Sequence, residues 1–209
     1  MSDYKGLLFI VSGFSGAGKG TIVKAFLDKN PDVKLSISAT TRECRVGEAE
    51  GVHYYYISTD EFEDMIEKGD MFEHAKYVGN YYGTPKSFVM KQLDEGNDVI
   101  LEIEMQGALQ VKKMYEDAIM IFVVPPHASD LKKRLIHRGT ETMEVINNRL
   151  KRSYEEVDLM KFYDYLLVND DLDDAVKVLE GIRSSERTKY KRYLHLNDKF
   201  KKELKEILD

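Results

Sequence analysis

Four short apolar runs punctuate the chain: Leu7–Val11, Val99–Ile103, Ile119–Val124 and Tyr165–Val168. Each is continuous rather than alternating and rich in branched side chains, the pattern of a strand buried on both faces. Segments of helical period separate them, and their ends can be read. Ser58 with Glu61 forms a capping box for "DEFEDMIEKG", which Gly69 would stop. Thr84 followed by Pro85 opens "KSFVMKQLDEG", with the proline in the first helical turn. "SDLKKRLIHRG" has Ser129 as its cap and Gly139 as its stop. Strand and helix in alternation predict an α/β fold, with right-handed crossovers and a mostly parallel sheet flanked by helices. Ligands in such folds lie at the carboxyl ends of the strands, where Gly13, Glu104, Pro125 and Asn169 should gather.

Two regions depart from this alternation. From Leu35 to Val78 the segments "KLSIS", "HYYYIS" and "MFEHAKYV" mix polar and apolar positions, which predicts a small, largely antiparallel subdomain inserted into the core. Near the C-terminus Tyr193, Leu196, Phe200, Leu204 and Ile207 recur at helical spacing, giving an amphipathic extension whose apolar face should dock on the protein's own surface. The 209 residues otherwise read as one domain with ordinary composition, 43% hydrophobic and 33% charged. A net charge of −6 argues against general nucleic-acid binding, though not against a local basic pocket. No apolar run approaches membrane-spanning length, and "LLFIVSG" reads as a first strand rather than a leader. The single cysteine, Cys44, cannot form an intrachain disulfide, which fits a cytoplasmic setting.

The first candidate chemistry follows the first strand. "GFSGAGKGT" carries the Gly13-x4-Gly18-Lys19 pattern of a phosphate-binding loop, with a strand before and a helix after, as that motif requires. Backbone N–H groups of Gly13, Ser15, Gly16, Ala17, Gly18, Gly20 and Thr21 can line the turn and meet phosphate oxygens. Lys19 adds a full positive charge near the β- and γ-phosphates of a nucleoside triphosphate. The core is therefore expected to be of the P-loop NTPase type. Gly20 stands where a Mg²⁺-ligating hydroxyl is usual, and Thr21 is one residue further on, a detail resembling adenylate kinases. The metal should then rest on the nucleotide and on waters.

The phosphate acceptor must be read elsewhere. Arg42 and Arg45, with Tyr54 downstream, could cradle a second phosphate, but by themselves they could equally be a solvated loop. Glu73 in "FEHA" could be an exposed strand carboxylate, and Arg134, Arg138 and Arg149 could be ordinary surface residues. "SISATTRECRVGEAEGVHY", "FEHA", "NYYGT", "LEIEMQGA", "RLIHRGTET" and "VNDD", in this order behind the glycine loop, resemble guanylate kinases over about residues 6 to 185. Cys44 and Val46 replace residues that are often proline in that family.

The resemblance implies an ATP-dependent kinase for GMP, working by direct in-line transfer with Mg²⁺. It implies a core at about 1–34 and 85–188, a GMP-binding subdomain at about 35–84, a lid at about 134–152, and a helical extension at 189–209. Arg42, Arg45, Tyr54 and Tyr82 would hold the GMP phosphate, and Ser38, Glu73 and Thr84 would read the guanine. Glu102 and Glu104 would stand near the metal's waters and the acceptor, although a structural role for either stays open. Arg134, Arg138 and Arg149 would surround the transferring group, and Asn169 would lie near the adenine. Two other readings remain: a kinase with a different acceptor, and a non-catalytic guanylate-kinase-like binding module.

Overall fold

The computed structural model describes residues 5–77, 79–137, 139 and 142–208. The elements follow in the order β1 (Leu8–Gly13), α1 (Lys19–Lys29), β2 (Val33–Leu35), β3 (Ala39–Thr40), β4 (Tyr55–Tyr56), α2 (Thr59–Glu67), β5 (Met71–Tyr77) and β6 (Asn80–Pro85). After these come α3 (Lys86–Asp94), β7 (Asp98–Glu102), α4 (Met105–Met114), β8 (Ile119–Val124), α5 (Ala128–His137), α6 (Met143–Glu156), β9 (Tyr165–Val168), α7 (Leu172–Arg187) and α8 (Leu194–Leu208).

Five strands form a parallel sheet in the order β2-β7-β1-β8-β9, and all four apolar runs of the sequence lie in it. Alternation along β1 divides its side chains between two cores. Phe9 and Val11 pack with Ile22 and Phe26 of α1 and Val176 and Leu179 of α7. Leu8 and Ile10 pack with Val89 and Leu93 of α3 and Ala108 and Val111 of α4. Apolar side chains are thus needed on both faces, which is why β1, β7 and β8 read as unbroken hydrophobic runs. β9 departs from the expectation, since at the sheet's edge it buries only Leu167 and leaves Leu166 and Val168 54% and 49% exposed.

The second sheet is mixed, in the order β4-β3-β6-β5. Its β3–β6 and β5–β6 pairs are antiparallel, whereas β3 and β4 run parallel. Ala39, Phe62 and Met71 form its small core, covered by α2. The segment read as one strand, "KLSIS", divides: Lys34 and Leu35 close the edge of the parallel sheet, and Ser36–Ser38 lead into the mixed one.

Local signals were decoded well where a side chain meets its own backbone. Ser58 accepts from the Glu61 N–H at 3.1 Å and starts α2 as expected. α5 begins one residue before the expected cap, at Ala128, and Asp130 accepts the His127 N–H at 3.2 Å. Pro85 is the N-cap of α3 rather than its first helical residue. The expectation for the C-terminal extension fails in part. α8 is a helix, but none of its described residues is buried, and Phe200, Leu204 and Ile207 are 55%, 55% and 77% exposed. Spacing specifies the stripe; what covers a stripe depends on long-range contacts that spacing does not encode.

Candidate active site

β1 ends at Gly13, beside Val123 of β8, and the glycine loop turns from there into α1. Gly18 is the helix N-cap at φ 93°, a conformation that L side chains rarely adopt. A Cβ there would lie 2.3 Å from Nδ2 of Asn169, so the loop closes against β9's end only through glycine. Asn169 is buried, and its Nδ2 donates to the Ala17 carbonyl at 2.7 Å. Arg134 donates to the same carbonyl at 3.2 Å and to the Asn169 carbonyl at 2.8 Å. Arg149, from α6, donates to the Ser15 hydroxyl at 2.7 Å. The glycine loop is therefore gripped from three neighbouring segments, the end of β9, α5 and α6. Gly16, Gly18, Thr21, Arg134 and Asn169 line a cavity of about 670 Å³, together with Lys133, His137, Asp170 and Leu172. That volume is ample for a nucleotide.

Lys19 opens α1 and donates to the Gly13 carbonyl at 2.7 Å. Glu102 ends β7 next to β1, and a Cβ on Gly20 would sit 3.4 Å from its carboxylate. Surrounding protein pushes the Glu102 carboxyl up, and the charge of Lys19 opposes this. Glu104 is not on the strand with Glu102 but at the N-cap of α4, where it pairs with Arg152 of α6. Among the described residues no cluster of three or more His, Cys, Asp or Glu side chains could hold a metal by itself. What the site offers instead is a single carboxylate, Glu102, beside Gly20 of the glycine loop, while Glu104 is held by Arg152. Such a site fits Mg²⁺ retained through phosphates and waters.

A second polar cluster is built on the mixed sheet. Glu73 of β5 faces Thr84 of β6, and the Thr84 hydroxyl donates to its Oε1 at 2.7 Å. Glu73 is 7% exposed, and burial pushes its carboxyl up while the Thr84 hydrogen bonds oppose the shift. Gly107 in α4 makes the approach possible, since a Cβ there would fall 2.7 Å from Glu73 Oε2. Ser38, half-buried, precedes β3 and accepts the Tyr55 N–H at 2.9 Å through its carbonyl.

Arg42 follows β3, and its guanidinium lies 5.5 Å from the centre of the Tyr54 ring. The Tyr54 and Tyr82 rings are 6.0 Å apart, edge to face, and Arg42 is electrostatically coupled to Tyr82. Arg45 is exposed and electrostatically coupled to Tyr54. Arg42, Arg45, Tyr54 and Tyr82 thus converge, as do Glu73 and Thr84, and Arg134, Arg149 and Asn169 meet at the glycine loop. Arg138 lies outside the described residues. Three participants had no signal of their own in the sequence. Glu48 and Tyr56 are bonded into the Arg42 cluster, and Arg152 ties α6 to Glu104. Gly107, four residues into "EMQGALQ", offered the clue of a glycine inside a helix, a position with an intrinsic cost.

Residues 5–186 match the protein-family model for guanylate kinase. A guanylate kinase of Clostridioides difficile is 51% identical over 201 residues, covering 96% of this chain and 98% of that protein. A guanylate kinase of Caldanaerobacter subterraneus is 48% identical, covering 95% and 97%. Among solved structures, guanylate kinase from Anaplasma phagocytophilum aligns over 92% of each chain with a TM-score of 0.72 and 30% identity.

Proposed function

The chain belongs to the guanylate kinase family, and on that premise we propose that it transfers the γ-phosphoryl group of ATP to the phosphate of GMP, giving ADP and GDP. The observation that carries the choice of acceptor is the buried Glu73–Thr84 pair. Guanine presents two adjacent donors, N1–H and the 2-amino group, and an ionised carboxylate accepts both. Adenine offers a lone pair at N1 and no 2-amino group, so it meets the same carboxylate with repulsion. A buried polar site that loses its partners in this way discriminates by about 10⁴-fold.

Donor and acceptor each have their own cradle. The glycine loop and Lys19 hold the ATP phosphates, with Asn169 and the cavity residues beside the rest of the nucleotide. Arg42, Arg45, Tyr54 and Tyr82 hold the GMP phosphate, and Ser38 assists at the base. Arg134, Arg138 and Arg149 neutralise the repulsion between the two anions; of these, Arg134 and Arg149 already reach the loop. An oxygen of the GMP phosphate attacks the γ-phosphorus as the bond to the β–γ bridging oxygen breaks. The attacking oxygen is already ionised, so positioning and charge stabilisation suffice without a strong base. Mg²⁺ would be held by the phosphates, with Thr21, Glu102 and Glu104 near its waters, and when bound it neutralises phosphate charge. No described helix is long and apolar enough to cross a membrane.

A coupled ADP-release assay with ATP, magnesium and a panel of nucleoside monophosphates tests this reading. GMP should be turned over and AMP should not. Absence of turnover with GMP would point to a binding module, and equal turnover of both purines would remove the role given to Glu73.

A further inference from the structure

The Glu48 carboxylate accepts four hydrogen bonds, each 2.9 Å long: from Nη1 and Nη2 of Arg42, from the backbone N–H of Arg45, and from the Tyr56 hydroxyl. Three of these converge on Oε2 and one on Oε1, so protein donors hold both oxygens. The pair is also sheltered, with the Arg42 and Glu48 side chains 12% and 20% exposed. Arg42 Nη1 additionally donates to the Glu43 carbonyl at 2.7 Å, and the Glu48 N–H donates to the Arg45 carbonyl at 3.0 Å. One acidic side chain thus closes residues 42–48 into a ring that fixes both arginines of the acceptor-phosphate cluster, one by its fork and one by its backbone. The four donors hold the Glu48 carboxyl down at about 2, so it is ionised across the neutral range.

We propose that Glu48 is a positioning residue of the acceptor site: it orients the Arg42 guanidinium and shapes the Arg45 turn so that both face the phosphate of GMP. The proposal rests on the acceptor reading given above. Glu48 need not touch the nucleotide. A long arginine side chain left unheld loses orientation, and a planar fork is useful only when its direction is set. The pairing is end-on with Nη1 and Nη2, so those donors face Glu48, while the positive group stays within reach of the Tyr54 and Tyr82 rings.

Steady-state kinetics of Glu48→Gln tests this. The amide keeps the volume but replaces one acceptor oxygen with a donor facing the donors of Arg42 and Tyr56. KM for GMP should rise about 10- to 100-fold, the factor expected when hydrogen bonds to a charged group are lost. Because the role is in positioning the acceptor, kcat should change less than about three-fold and KM for ATP should stay put. Tyr56→Phe removes one donor and leaves the Arg42 pair, so it should raise KM for GMP by a smaller factor. It also serves as the test if Glu48→Gln does not fold. A KM for GMP within about two-fold of wild type, or equal rises for GMP and ATP, overturns the proposal. If wild-type protein turns over GMP while the variants behave as wild type, the positioning role alone fails. If wild type does not turn over GMP, it is the acceptor reading that fails.

Discussion

Replacing Glu73 with glutamine removes a charge at the position assigned to guanine while leaving the shape of the site. In the structure Oε1 already accepts from Thr84 at 2.7 Å, and the carboxylate must also serve two guanine donors. Glutamine has one acceptor oxygen. If it keeps Thr84, its NH₂ group points donors at guanine's donors; if it flips, at most one guanine donor is served. The loss is one hydrogen bond to a charged acceptor plus one donor left unpaired in a buried site, roughly 3–5 kcal/mol together. That predicts a fall in kcat/KM for GMP of about 10² to 10³·⁵-fold, with KM for ATP little changed. The ADP-release assay at varied GMP and varied ATP reads both numbers. Equal losses for the two nucleotides, or a GMP loss below about ten-fold, would refute the base-reading role.

The same residue predicts a pH effect with a definite sign. Burial raises the Glu73 carboxyl above its ordinary value of 4.5 in the empty protein. For a raised acid, the contribution to folding stability is present below the unfolded value and is lost as pH rises through the folded one. At neutral pH the ionised carboxylate is therefore a cost to the fold, and Glu73→Gln should melt at the same temperature or higher while being crippled toward GMP. Guanine needs the ionised form, so wild-type kcat/KM for GMP should fall on acidification sooner than an ordinary carboxyl would dictate. The glutamine variant should lose that limb of the profile. A wild-type profile flat down to pH 4.5 would contradict the burial argument.

Three further substitutions probe the frame around the site. Gly18→Ala forces a side chain into a φ of 93° and to 2.3 Å from Asn169 Nδ2, so ATP turnover should fall about 10²-fold or more, as a shifted loop misplaces the phosphates; wild-type kinetics would refute this. Gly20→Ser adds a hydroxyl beside Glu102, 3.4 Å from the new Cβ, and should retain activity with magnesium; a severe loss would show that the glycine is required for more than space. Asp98 is fully buried, accepting from the Leu7 N–H at 2.8 Å, Arg183 Nε at 2.6 Å and Arg187 Nη2 at 2.8 Å. Arg187 Nε donates to it as well, at 3.1 Å, so Asp98→Ala strands four donors and should cost about 3–5 kcal/mol in urea unfolding, against less than about 1 kcal/mol if the cluster were incidental.

The sheet was legible because both of its faces are covered. A strand buried on both sides must be apolar throughout, and β1, β7 and β8 carry that demand openly in their sequence, whereas β9 is equally apolar at the sheet's edge with only Leu167 buried. The mixed sheet was harder. β3 and β4 are two residues each, too short to show a period, and their parallel pairing rests on contacts between segments that the chain brings back through a long loop. The glycine loop could be read because its function constrains the backbone, and backbone constraints are written as glycines. Asn169 and Arg134 were visible as residues, but their grip on the Ala17 carbonyl joins positions more than a hundred residues apart.

What the sequence cannot distinguish is which carboxylate in a polar stretch does what, and the acceptor site shows why. Glu48 and Glu73 are the same side chain, 25 positions apart in the region between β3 and β6. Glu48 meets four protein donors, three of them at one oxygen, and is held at about 2. Glu73 is buried with the hydroxyl of Thr84 at one oxygen and is pushed the opposite way. A carboxylate ringed by four protein donors is a fixed part of the frame. One buried with too few donors gains most from a ligand that brings its own, and guanine brings two. The two roles differ only in how many donors surround each oxygen, and that number is set by the fold.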